Sequence, residues 1–270
     1  MIPLKDYNPT RRFSLVTVLI LGACVVIYFF VQPTGQSAFL EADPQRQEVQ
    51  QDREIRFTLY NAAIPCEVVT GEPLSQQEVA ETFRPGGDPT ACDRNDTTPP
   101  FYPGKKVYLA VLFSMFLHGG LLHLAGNMLF LWIFGNNIED HWGHVRYAVF
   151  YLVAGLVATL AHVAAEPDST VPMVGASGAI AGVMGAYLVM FPSVRIRTLL
   201  LFGFFFMFRD ITAKWLLGFW FLLQFFTSPN SGVAWMAHVG GFVFGLLVGL
   251  GWRVLTPQRA VARPAPWRYD

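Results

Sequence analysis

Residues 145–165, VRYAVFYLVAGLVATLAHVAA, carry a single charge, Arg146, in their first turn. A helix of about 20 apolar residues matches the hydrocarbon core of a bilayer, where every backbone polar group must be satisfied within the protein itself. Such a run commits its part of the chain to a membrane-spanning helix. Comparable runs occupy residues 13–31, 121–138, 175–190, 211–226 and 233–252. Together they predict an all-α membrane protein, a six-transmembrane-helix bundle with a long extracytoplasmic first loop. Composition agrees, since a chain that is 53% hydrophobic and 14% charged is not built like a soluble domain, of which about 25% is charged.

The formal net charge is zero, so nothing points to nucleic acid as a partner; membrane lipids are the expected surroundings. Outside residues 32–106, Lys and Arg fall in the N-terminal tail, at Arg146, in the 195–214 connection and in the C-terminal tail. The connections near Asp168 and Asn230 have none. By the positive-inside rule both termini are cytoplasmic: residues 1–12 and 253–270 are tails, 13–31 the first span, 32–106 an extracytoplasmic loop and 107–252 the bundle core. With no organelle presequence, the expected location is a plasma membrane or bacterial inner membrane. The stretch LLLFGFFFMF, residues 199–208, is too short to span and is expected along the cytoplasmic interface. KKVYLAVLFSMFLHGG, residues 105–120, reads as an interfacial or re-entrant piece. The external segment, rich in Pro and Gly near its end, reads mostly as loop. It holds Cys66 and Cys92, either bridged, which would restrict the unfolded chain by about 3.5 kcal/mol, or two reduced thiols.

Ionisable groups inside spans are expensive and mark function. Away from their ends the six runs contain no Asp, Glu, Lys or Arg; His123, His162 and His238 remain. A membrane carboxylate for ion coupling, the two needed by an aspartyl protease, and an HExxH metal pair are all absent, so neither a metal nor another cofactor is expected. His141 and His144, in EDHWGH, read as part of a polar turn. VPMVGASGAIAG surrounds Ser177 with small residues. Gly178 with Gly182 and Ala181 with Gly185 fit helix packing, yet the serine also sits past Pro172 and Gly175 at the start of a helix, where backbone amides favour an anion. Packing residue and nucleophile both fit this motif. A serine nucleophile needs a base, and His238 in WMAHVGGFVFG begins the sixth run at matching depth. Gly241 and Gly245 share its side of the helix and admit a close neighbour. In HLAGN, His123 and Asn127 lie one helical turn apart and can aim donors at an oxyanion. His162 reads as a packing residue.

HLAGN, GASG and AHVGGFVFG, in this order and each opening a predicted span, resemble the rhomboid family of intramembrane serine proteases. FLHGG before the second span, and Glu139 with Gly143 after it, extend the likeness over about residues 107–252. The resemblance implies a water-filled cavity open to the outside and a Ser-His dyad. Ser177 is then the nucleophile, His238 the base, and His123 and Asn127 form the oxyanion hole with the Ser177 amide, among the motif glycines Gly175, Gly178, Gly241 and Gly245. It implies as substrates single-span membrane proteins cut in or beside their transmembrane helix; the alternative is a catalytically silent relative that binds transmembrane segments. Oligomeric state is not encoded in these motifs. Many relatives carry an aromatic residue one turn after the serine to pack on the base; here Ala181 stands there, leaving the orientation of His238 to another group. A Trp-Arg pair that some members carry in the external loop is absent, and no family motif covers residues 32–106.

Overall fold

The computed structural model describes residues 1–33, 44–202, 205–227 and 232–256. Three helical stretches are long and apolar enough to cross a membrane, Leu121–Trp142, His144–Ala165 and Trp235–Leu255, and Leu15–Val31 and Ser177–Met190 are shorter apolar helices. In chain order the elements are β1 (Ile2–Asp6), α1 (Leu15–Val26, continued by a π-helical turn Ile27–Val31), α2 (Pro44–Asn61), α3 (Pro65–Thr70), α4 (Gln76–Phe83) and α5 (Val107–Ser114). Then come α6 (Leu121–Phe130, continued by a π-helical turn Leu131–Gly135), α7 (Asn136–Trp142), α8 (His144–Ala165), α9 (Ser177–Met190), β2 (Arg195–Phe202), β3 (Phe205–Thr212), α10 (Ala213–Gln224) and α11 (Trp235–Leu255). The expected turn at Asn230, residues 34–43 and the C-terminal tail beyond Thr256 lie outside the described residues.

α9 is the axis of the bundle, buried almost all round. It pairs in parallel with α11, whose buried positions Ala237, Gly241, Gly245 and Gly249 recur every four residues. The reason is steric. A Cβ on Gly241 would stand 2.1 Å from the carbonyl oxygen of Gly178, and one on Gly245 1.8 Å from that of Gly182. Lipid tails are as apolar as leucine, so helices gain little by hiding side chains from them and associate through close backbone packing.

The start of α1 is held from another helix. Glu139 on α7 is buried and accepts from Val16 N–H and Thr17 N–H, both at 2.8 Å, and from Thr17 Oγ–H at 2.7 Å. Asp140 accepts from the backbone N–H of Arg11 and Arg12. Glu139 thus satisfies amides that α1 itself cannot, and Asp140 holds the chain just ahead of the helix. His144, 2.6 Å from Glu139, joins this cap.

Three expectations need correction. The protein is not all-α: β1, β2 and β3 form an antiparallel sheet in that order. β1 occupies part of what read as the N-terminal tail, and residues 199–202 and 205–208 of the apolar stretch lie on the paired strands β2 and β3, with Phe205, Phe206 and Phe208 exposed. β-branched and aromatic residues prefer strands, and a strand needs only about half the residues of a helix to cover the same distance. The segment between the first two apolar helices is also more than loop. α2, α3 and α4 surround a small core of Leu59, Ile64, Cys66, Leu74 and Val79. Its local signals are strong: Ser75 Oγ accepts from Glu78 N–H at 3.0 Å while Glu78 Oε2 accepts from Ser75 N–H at 2.7 Å, a reciprocal cap. Cys66 and Cys92 are disulfide-bonded. Lys105 and Glu67 form a buried ion pair, and Lys105 Nζ also donates to Leu59 O at 2.6 Å.

Candidate active site

The α2–α4 lobe grips the strand of chain that leads to the serine. Met173 N–H donates to Ala63 O at 2.7 Å, Cys66 N–H to Ser169 O at 2.9 Å, and Thr170 N–H to Pro89 O at 2.8 Å. From there the chain turns through Gly175, whose φ of 128° suits a residue without a Cβ, and enters α9 with Ser177 as its first residue. The amide of that position has no partner in its own helix.

The glycine seam decides what faces Ser177. With Gly178 against Gly241 and Gly182 against Gly245, the two helices run in step, and the first turn of α11 brings His238 Nε2 to 2.9 Å from Ser177 Oγ. On the other side of the ring, His238 Nδ1 is 2.8 Å from Gln224 Oε1. Gln224 is buried at the end of α10, and its Nε2 donates to Trp220 O at 2.9 Å. Its amide nitrogen is thus committed, so the oxygen faces Nδ1, and Nδ1 must carry the proton. Nε2 is left with a lone pair for the Ser177 hydroxyl. Trp220 flanks the imidazole at 5.8 Å between ring centres. Gln224 and Trp220 hold the ring where Ala181 offers no aromatic. Sequence reasoning passed over Gln224, although it is the one side-chain amide in the apolar run 211–226.

His123 and Asn127 approach from α6. Gly119 N–H points at His123 Nδ1 at 3.4 Å, which leaves Nε2 to carry the ring proton. A Cβ on Gly175 would lie 2.9 Å from His123 Nε2 and 3.6 Å from Ser177 Oγ, so the two groups border one small space. Asn127 is buried, and its Nδ2 has no acceptor among the described residues. An idle buried donor costs free energy unless something arrives to use it. Behind the serine a cavity of about 30 Å³, lined in part by Ser114, Thr159 and Met173, is large enough for water and far too small for a peptide. His162 is buried on α8 with Nε2 3.8 Å from Glu166. His141 and His144 stand apart from this site: His141 lies against Phe191, just past the C-terminal end of α9, and His144 against Glu139.

The Rhomboid domain matches residues 105–254, more than half of the chain. The chain belongs to the rhomboid family. This rhomboid is 31% identical over 158 residues to RHOMBOID-like protein 5 of Arabidopsis thaliana (58% of this chain, 48% of that one). It is 36% identical over 135 residues to Rhomboid protease GluP of Bacillus subtilis (50% and 24%). It is 32% identical over 155 residues to the mitochondrial Presenilin-associated rhomboid-like protein of Bos taurus (53% and 38%). The chain spans about half the length, or less, of these curated relatives. The rhomboid fold is embedded in membranes, and the family includes serine proteases acting on transmembrane segments.

Proposed function

We propose that the chain is an intramembrane serine endopeptidase that cleaves single-span membrane proteins within or beside their transmembrane helix. The carrying observation is the 2.9 Å contact of Ser177 Oγ with His238 Nε2. In the proposed reaction Nε2 takes the Ser177 proton as Oγ attacks the scissile carbonyl, and returns it to the departing amine. The tetrahedral oxyanion is held by the Ser177 amide, Asn127 Nδ2 and His123 Nε2–H, with the N-terminal dipole of α9 beneath it. Water then releases the acyl group. Gln224 acts in place of the acid of a triad, fixing the tautomer without supplying a charge.

In this reading Leu15–Val31, Leu121–Trp142, α8, α9, α10 and α11 are the six spans. The α2–α4 lobe faces outward, and the sheet and both termini face the cytoplasm of a plasma or bacterial inner membrane. Lobe and sheet lie at opposite ends of α9, which supports that orientation: Ser177 sits under the lobe, and Tyr187 Oη donates to Asp6 of β1 at 2.9 Å.

The test is cleavage of single-span reporters in proteoliposomes by the unaltered protein and by Ser177→Ala. Cuts toward the outer end of the reporter helix that disappear in the variant are the expected result. Folded protein that cleaves no reporter and resists a serine-directed phosphonate or fluorophosphonate would leave a silent binder of transmembrane segments.

A further inference from the structure

Beside the dyad lies a recess that this chemistry does not use. α2, the π-helical end of α1 and the loop 118–120 enclose a cavity of about 280 Å³ whose lining includes Tyr28, Glu54, Phe57, Phe83 and His118. Among the described residues, Glu54 Oε1 and His118 Nε2 are buried without a hydrogen-bond partner. Both are acceptors. Gln50 already bonds the Glu54 carboxyl, and His118 Nδ1 is 3.2 Å from the carbonyl oxygen of Phe116, which can only accept, so the imidazole proton sits on Nδ1 and Nε2 presents a lone pair. Two lone pairs withdrawn from water at one cavity are costly until a donor meets them. Burial holds the Glu54 carboxyl above its ordinary range, as expected of an acid without a counter-charge.

A group that only donates, an ammonium or guanidinium, satisfies both, and the aromatic walls favour a cation as well. The volume falls just below the roughly 300 Å³ at which sites for free small molecules begin, which suits one side chain of a longer polypeptide. The recess also adjoins the dyad. His118 packs on His123 with 5.2 Å between ring centres, and Gly119 points its amide at the same ring. Gly120 lines the recess, and a Cβ there would meet nothing within 4 Å.

We propose that this recess is a specificity pocket for a Lys or Arg side chain in the external juxtamembrane stretch of the substrate, with Glu54 and His118 as its acceptors. The proposal rests on the proteolytic reading of Ser177 and His238, and its test keeps the two apart.

Single-span reporters with a neutral external juxtamembrane stretch receive one Arg at successive positions, each compared with Gln at the same place. At one position Arg lowers KM about tenfold with kcat held. Glu54→Gln brings that Arg-to-Gln ratio to about one, and Glu54→Lys turns the preference toward Glu in the reporter. A ratio near one at every position in the unaltered protein, or an Arg preference that survives Glu54→Gln, overturns the pocket. Binding of the same reporters to the Ser177→Ala protein in nanodiscs, followed by fluorescence anisotropy, gives the answer without turnover. Arg-selective, Glu54-dependent binding with no cleavage would retain the pocket and remove the protease. Ser177-dependent cleavage without Arg selectivity in either assay would do the opposite.

Discussion

The α2–α4 lobe and the α9–α11 seam are held together by different physics. The lobe has a core of only a handful of side chains, Leu59, Ile64, Cys66, Leu74 and Val79. A core this small stabilises little, and the lobe adds a disulfide, a reciprocal helix cap and a buried Lys105–Glu67 pair. The seam has almost no polar atoms and no covalent link. It relies on glycine, so that backbone meets backbone between Gly178 and Gly241 and between Gly182 and Gly245. Where water drives burial, a small fold needs staples. Where lipid surrounds it, contact distance decides. The two regions meet at Ser177, whose approach segment is hydrogen-bonded to the lobe and which the seam brings against His238.

The largest effect that separates the regions is expected from Lys105→Met. Burial pushes the Lys105 ammonium down and the Glu67 carboxyl up, each partly offset by the other. Removing the cation alone leaves Glu67 uncompensated and costs about 4 kcal/mol, whereas Lys105→Met with Glu67→Leu recovers most of it. Limited proteolysis of the lobe and denaturant unfolding read this out; a double variant as unstable as the single one would break the comparison. Next comes Gly245→Ala. One methyl group driven against the Gly182 carbonyl costs about 3 kcal/mol and forces α9 and α11 apart. Unfolding in mixed detergent measures the loss, and a neutral result would mean that the seam is not set by contact distance.

A smaller effect belongs to the joint between the regions. Gln224→Leu frees Nδ1 of His238 and is expected to lower kcat about tenfold with KM little changed, while Gln224→Glu, which still accepts from Nδ1, restores turnover. A change confined to KM would assign Gln224 to substrate entry. An effect of pH is expected at the opposite end of α9. Burial, opposed by bonds from Tyr187 and Asn137, lifts the Asp6 carboxyl from 3.8 to about 6. The folded protein holds that proton more tightly than the unfolded chain, so the Asp6 contribution to stability is full below pH 3.8, falls as pH rises through about 6, and then levels. Asp6→Asn removes this slope. The difference in Tm between the two proteins across the window measures it, and parallel curves would place Asp6 in water.

Much of the helical order was legible because apolar runs of the right length have one outcome in lipid. The pairing of β2 with β1 was not, since an apolar run too short to span carries no helical periodicity to separate helix from strand, and β1 is nearly two hundred residues away. The lobe was hidden by its Pro and Gly content, which marks turns without revealing that the short helices between them share a core. Within the site, Ser177, His238, His123 and Asn127 stood out because polar groups are rare in such spans. Gln224 was passed over because its role exists only once α10 lies against α11.

The sequence by itself determined that this chain is a membrane-embedded rhomboid, and it carried the small-residue spacing that lets α9 and α11 touch. Solvation and steric size act on each residue wherever it lies, and both can be read along a line. The tertiary structure decided which nitrogen of His238 faces Ser177, what holds the other, and that Glu54 and His118 turn their lone pairs into one recess. Those depend on directions and distances between groups far apart in the chain, and hydrogen bonds exist only at the distances and angles that folding creates.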